Sequence, residues 1–288
     1  MEGFRHATPP RGVFVDGLAS AHRRDPPRMN PVLIEIGPLT IRYYGLMYAV
    51  AILVGLALIR RDVRRRGIPI TDDDVVNFVL LAVGAGILGA RTYYVAFNWD
   101  FYGRNWSEIP AIWHGGLAIH GGLVGGVLAG WWFVRRHNIP FLVMADVAAP
   151  SLILGQAFGR FGNFMNGDAH GVPTSMPWGV VFPPYSIAGQ EFPNAPIHPT
   201  MLYEMVLNLM IFVGLYRLRL RPTKAGFLFC SYLVLYSMGR FVVSFFRADS
   251  LMIGPLRAAH VVSILLIALV GGYMVKERLW QTKPADAV

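Results

Sequence analysis

The 288-residue chain is 54% hydrophobic and 15% charged, against about 25% charged residues in an ordinary soluble domain. Its mean hydropathy is +0.44, and its apolar residues gather in runs long enough to cross a bilayer, which excludes a soluble enzyme, a disulfide-stapled secreted domain and a disordered tail protein. The net charge of +9, from 26 basic and 17 acidic residues, would suggest nucleic acid in a soluble chain; here most arginines lie in short loops between apolar runs, where topology and anionic lipid explain them better.

Residues 1–28 are rich in Arg and Pro and contain no apolar core, so they do not form a signal peptide. Five arginines (Arg5, Arg11, Arg23, Arg24 and Arg28) precede Met29, and Met29-Asn30-Pro31 leads directly into the first apolar stretch. The segment is expected to be either a disordered tail or sequence upstream of a start at Met29. Seven helical spans follow, over 43–59, 74–97, 117–134, 143–166, 200–216, 226–246 and 258–275. They define an all-α polytopic membrane protein whose catalytic domain covers 29–275, with a cytoplasmic tail at 276–288. The third span is interrupted by Gly121, Gly122, Gly125, Gly126 and Gly130. Its Gly121/Gly125 and Gly122/Gly126 pairs suit close helix packing in lipid, and a re-entrant loop is the alternative. Residues 167–199, rich in Pro, Gly and aromatics and nearly uncharged, predict a small folded cap.

Loop charges set the expected orientation. Arg60, Arg61, Arg64, Arg65 and Arg66 follow the first span; Arg135 and Arg136 the third; Arg217, Arg219, Arg221 and Lys224 the fifth; and Lys276, Arg278 and Lys283 the seventh. The opposite loops hold Arg104, Arg247 and Arg257, and the cap has no Lys or Arg. The N-terminus is therefore expected outside and the C-terminus in the cytoplasm. Cys230 is the single cysteine, which leaves no intrachain disulfide and no cysteine metal site. No inverted repeat relates the spans, which weighs against a transporter.

Ionisable side chains within spans are costly and mark function or helix contacts. Arg91, Arg160 and Arg240 are all expected in the outer half of the bilayer, with His120, Tyr44 and Glu204 near the same level. The arginines could be interhelical glue, paired with Glu204 or with backbone carbonyls. Three cations beside one intramembrane acid instead favour an anion, and a lipid phosphate is the anion found at that depth. Within Gly159-Arg-Phe-Gly-Asn-Phe-Met-Asn166-Gly167, the residues Arg160, Asn163 and Gly167 share a helix face. Gly162 would leave room there for a phosphate and glycerol hydroxyls, while Asn166 and Gly167 could equally cap the helix. His120, flanked by glycines, offers an accessible imidazole suited to proton transfer.

These residues carry a resemblance. The 159–166 segment resembles the signature of bacterial prolipoprotein diacylglyceryl transferases, as do Tyr43-Tyr44-Gly-Leu-Met-Tyr48, His120-Gly-Gly-Leu123, His198-Pro-Thr-Met-Leu-Tyr-Glu204 and Gly239-Arg240 with Phe245-Phe246-Arg247-Ala-Asp249. The resemblance runs in order from about residue 29 to 275. It implies transfer of the diacylglyceryl group of phosphatidylglycerol to the lipobox cysteine thiol of a preprolipoprotein, in the bacterial inner membrane, with glycerol 1-phosphate leaving. It also implies that His120 is the essential histidine, Arg160 the lipid-binding arginine beside Gly162 and Asn163, and Arg240 the second essential arginine. Tyr44 and Tyr236 match tyrosines lining the same cavity. Asn166, Arg91 and Glu204 complete the expected substrate-binding set. The chain departs from the family pattern at Asp168, often Glu, and at Ser244, where a Glu four residues after the second arginine is common. What orients Arg240 without that Glu is left open. The chemistry asks for no cofactor: a thiol needs a base, and a departing phosphate needs fixed cations in a water-poor site. No metal constellation or nucleotide loop stands out in the sequence. An anionic-lipid flippase would also want outer-level cations, together with a cation path toward the other leaflet that the spans do not offer.

Overall fold

A computed structural model describes residues 31–36 and 39–282; the expectations for residues 1–28 and for Lys283 onward fall outside the described residues. The chain opens with an antiparallel hairpin, β1 (Val32–Ile36) and β2 (Leu39–Arg42). Helices α1 (Tyr43–Arg66) and α2 (Asp72–Phe97) follow, then the short α3 (Trp99–Tyr102) and two single 3-10 turns. Next come α4 (Ile119–Arg136), α5 (Phe141–Asn166), the short α6 (Ile187–Glu191), α7 (Thr200–Leu218) and α8 (Phe227–Ser244). A two-residue hairpin, β3 (Met252–Ile253) with β4 (Leu256–Arg257), leads into α9 (Ala258–Glu277).

The protein is a multi-pass membrane protein. Six of the seven long helices are long and apolar enough to cross a bilayer. The seventh, α4, is diluted by its glycines, yet it is one unbroken 18-residue helix rather than a re-entrant loop. Each of the seven expected spans coincides with one of these helices. Large apolar side chains such as Leu53, Leu88 and Leu269 stand exposed on their flanks, a poor surface for water and an ordinary one for lipid tails.

Helix α5 is the central element, packed on α1, α7 and α8; half of its most apolar stretch is buried. Helix α9 lies at the edge, with Ser263 as its one buried residue among those described. Lipid supplies no hydrophobic drive between helices, so close packing must hold them together. The α2–α4 seam shows how: a Cβ on Gly121 would collide with the Gly89 carbonyl, and one on Gly125 with the Ala85 carbonyl. The Gly122 and Gly126 positions are looser, with their nearest atoms at 3.3 and 3.7 Å, so the first pair sets the approach. Gly125→Val is expected to cost about 1–3 kcal/mol through overpacking and to lower the unfolding temperature in detergent. Gly84→Ala, on the same α2 helix with no atom within 4 Å of the added Cβ, should leave that temperature unchanged or slightly raised.

Two buried acids not anticipated from the sequence tie the helix ends at the arginine-rich side. Asp62 accepts from Arg65, Arg66 and Arg219 at 2.9, 3.0 and 2.6 Å. Asp146 on α5 accepts the backbone N–H groups of Gly226 and Phe229, both at 2.8 Å, and so supplies the first turn of α8 with the acceptor that its own cap lacks.

The 167–199 segment is folded, as expected. Phe182, Ala188, Ile197 and Met201 form its buried cluster, with Phe164 and Phe192 against it. Backbone bonds stitch it to the segment after α8: Val172 N–H donates to the Phe246 carbonyl at 2.9 Å and Ala248 N–H to the His170 carbonyl at 3.2 Å. This stitching carries Arg247 and Asp249 over the ends of α5 and α7, where the polar side chains gather.

Candidate active site

Glu204, on the second turn of α7, is 3% exposed and receives cations from two directions. Arg160 Nη2, from the last turns of α5, lies 2.5 Å from its Oε2. Arg240 Nη1, from α8, binds Oε1, and Arg247 Nη1 joins the same oxygen at 3.2 Å. Arg247 in turn holds Asp249 through both carboxylate oxygens, at 2.9 and 2.6 Å. A lone buried carboxylate would be costly, and three guanidinium groups compensate it. Glu204 thus supplies what the absent Glu at position 244 leaves open: Arg240 is oriented from the neighbouring helix. Ser244 itself is fully buried, and its hydroxyl has no hydrogen-bond partner among the described residues.

Arg160 continues the network along α5. Its Nη1 donates to Asn163 Oδ1 at 3.2 Å, and Asn163 Nδ2 donates to Asp168 Oδ1 at 3.0 Å. Burial pushes the Asp168 carboxyl above its ordinary range, opposed by the Asn163 hydrogen bond and, more weakly, by the Arg160 charge. Asn166 is the last, half-buried helical residue, and Gly167 ends the helix in the left-handed region at φ 71°. The Tyr236 and Tyr44 hydroxyls lie close enough to interact electrostatically with Arg160, and Tyr48 donates to the Tyr44 oxygen at 3.3 Å.

Gly162, Glu204 and Arg91 have surroundings that the sequence did not reveal. The space at Gly162 is taken by protein: a Cβ there would stand 2.7 Å from Cδ2 of the Tyr44 ring. The glycine admits that ring. Glu204 is the acid within the spans beside these arginines, and Asp168 and Asp249, beyond the ends of α5 and α8, join the network through Asn163 and Arg247. Arg91 has partners of another kind. It is buried, and its five N–H donors meet five backbone carbonyls, those of Glu108, Ile109, Ala111, Gly115 and Gly116, at 2.5 to 3.4 Å, with the Tyr102 ring 5.1 Å away. No hydrogen bond or ion pair among the described residues links it to Glu204. Arg91 organises the loop that precedes α4.

That loop delivers His120 to the first turn of α4. The imidazole is exposed, 6.0 Å from the Tyr93 ring, and no hydrogen bond among the described residues joins it to the arginine cluster. His198 sits in the cap, its Nδ1 3.1 Å from the Tyr203 hydroxyl, and burial lowers its pKa. The residues brought together are therefore Tyr44, Arg160, Asn163, Glu204 and Tyr236 with Arg240, joined by Asp168, Arg247 and Asp249, which sequence reasoning had not placed in the site.

Glu204 uses one nitrogen each of Arg160 and Arg240, whose side chains keep 19% and 25% of their surface exposed, against 6% for Arg247. Two guanidinium groups are thus fixed with donors left over, an arrangement suited to a phosphate. The family model for prolipoprotein diacylglyceryl transferase matches residues 31–276. The chain belongs to that family. It is 42% identical over 277 residues to the phosphatidylglycerol--prolipoprotein diacylglyceryl transferase of Fusobacterium nucleatum, covering 84% of this chain and 96% of that protein. The enzymes of the same name from Geobacillus kaustophilus and Synechococcus elongatus are 47% and 48% identical over 244 and 250 residues, covering 84% and 83% of this chain and 90% and 84% of theirs.

Proposed function

We propose that the chain transfers the diacylglyceryl group of phosphatidylglycerol to the lipobox cysteine thiol of a preprolipoprotein. The observation that carries this reading is the pair of largely buried guanidinium groups with some surface left open, Arg160 and Arg240, gathered on the buried Glu204, in a chain of this family.

The thiol sulfur attacks the glycerol carbon that bears the phosphate ester. A C–S bond forms, the C–O bond breaks, and its electron pair stays on the departing oxygen, so glycerol 1-phosphate leaves. Negative charge grows on the phosphate as that bond breaks, and cations already fixed in place stabilise it without rearranging. Glu204 prepays that order: it holds Arg160 and Arg240 apart from water and aims them, while their unused N–H groups take the phosphate oxygens. Tyr44 and Tyr236 flank the same guanidinium, and Asn163 and Asp168 fix its far side. His120 accepts the thiol proton. The signal peptide of the preprolipoprotein lies in the membrane beside the helices and presents its cysteine at that level.

The site faces the outer side of the bacterial inner membrane, with the N-terminus outside and the C-terminus in the cytoplasm, because the loop cations crowd the other ends of the helices. Reporter fusions at Gly189, in the cap, are expected to be active only with periplasmic reporters; activity of a cytoplasmic reporter there would reverse the orientation. Transfer itself is tested by mixing the purified protein with phosphatidylglycerol labelled in its acyl chains and a lipobox peptide. The label should become covalently attached to the cysteine of the peptide. A lipid that only changes leaflet would return the reading to a flippase.

A further inference from the structure

The geometry points to a second phosphate site, at the opposite end of the helices from Glu204, built to hold the headgroup of an anionic phospholipid. A cavity of about 620 Å³ opens there, lined by Ala57, Arg60, Arg61, Arg64, Arg65 and Asp72. Five of the six lie on α1 at positions that repeat every three to four residues, so they form one face of the helix.

The charges on that face are unequally matched. Arg64 is paired with Asp72, through Nε at 3.1 Å and a second contact through Nη2. Arg65 is paired with Asp62 at 2.9 Å. Arg61 donates to the Tyr216 hydroxyl at 3.1 Å, a neutral partner. Arg60 carries a buried Nε with no hydrogen-bond partner among the described residues. Among the described residues, neither Arg60 nor Arg61 has a carboxylate within ion-pair distance. Two guanidinium groups without a contact ion pair among the described residues, Arg60 feeling Asp72 only at longer range, thus stand beside an open volume, and a phosphate is the anion whose oxygens suit their forked donors.

Depth and surface decide for a lipid over a free anion. Arg60 follows Tyr43 by 17 residues, a rise of about 26 Å along α1, which puts it near the headgroup level of the leaflet opposite the Glu204 cluster. Ala57 forms the apolar floor, and one turn deeper on the same face Leu53 is 66% exposed. A phospholipid can set its phosphate on Arg60 and Arg61 and run an acyl chain past Ala57 and Leu53. A soluble phosphate would gain nothing from that apolar track.

The test uses the full chain in nanodiscs containing a trace of phosphatidylglycerol or phosphatidylcholine with a photoreactive acyl chain, followed by peptide mapping. The phosphatidylglycerol probe should label α1 around Leu53–Ala57 several-fold more than the phosphatidylcholine probe. In R60Q/R61Q that labelling should fall about tenfold or more, the loss expected for two cations at a lipid surface, while transfer activity persists. R60K/R61K, which keeps the charge but not the forked donors, should retain only part of the labelling, and if R60Q/R61Q does not fold, R60Q alone stands in with a several-fold loss expected. Equal labelling by both probes would reduce the site to ordinary surrounding lipid. Labelling unchanged in R60Q/R61Q, or displaced by equimolar inorganic phosphate, would likewise overturn the proposal.

Discussion

Arg160→Ala should reduce transfer by about 10²–10³-fold, the typical cost of removing one donor aimed at charge that develops in the transition state. Arg160 is one of the two proposed phosphate contacts, because it lies 2.5 Å from Glu204 and yet keeps a fifth of its surface free. The variant should still fold, since Glu204 retains Arg240 and Arg247 as partners. Its defect should appear as a lowered kcat together with a raised KM for phosphatidylglycerol, measured at saturating lipobox peptide, because the same guanidinium holds the phosphate before and during the reaction. Arg160→Lys should recover only part of the activity: an ammonium restores the charge, but it cannot serve Glu204, Asn163 and a phosphate at once with three donors on a single nitrogen. Full activity of the lysine variant at limiting lipid would show that point charge suffices and that the forked geometry contributes nothing.

The contrast between Arg160 and Arg91 shows where the sequence stops being informative. Both are arginines inside apolar runs near the same expected depth, and hydropathy cannot separate them. A cation at that level is stabilised equally well by a carboxylate, a lipid phosphate or a set of carbonyls. The difference lies in the following segment. Residues 103–118 contain single turns but no long helix or strand, so their carbonyls need donors, and Arg91 supplies five. The glycines of that stretch and Pro110 were the available signal. Helix positions, by contrast, were legible, since twenty apolar residues in lipid have few structural options. The Gly121/Gly125 seam was legible for a related reason: small residues one turn apart have a specific use between membrane helices. Gly162 resembled open space because a glycine's role depends on what fills the gap, here the Tyr44 ring from a helix more than a hundred residues earlier. Arg247 and Asp249 read as loop residues because only the folding of the cap against 245–249 brings them to Glu204.

His120→Gln is expected to slow transfer by about 10²–10⁴-fold, the usual contribution of a positioned general base, while leaving lipid binding nearly intact. The separation follows from placement. The proposed phosphate contacts belong to Arg160 and Arg240 on α5 and α8, whereas His120 stands exposed on the first turn of α4, against Tyr93 and, among the described residues, outside the Glu204 network. An exposed imidazole at a helix start, raised on a loop that Arg91 braces, can meet a thiol arriving from the membrane without disturbing the bound headgroup. Glutamine keeps hydrogen-bonding capacity in a similar volume and removes the base. A free cysteine thiol ionises near pH 8.5, so the variant should regain part of its activity as the pH rises toward that value, where the nucleophile forms unaided. The native protein should show a much flatter rise over the same range. Measuring kcat and the KM for phosphatidylglycerol from pH 6 to 9 in both proteins separates the outcomes. A raised KM with unchanged kcat would make His120 a lipid-positioning group. An equal deficit at every pH would mean that His120 orients the peptide or supports the α4 start, and that another group takes the proton.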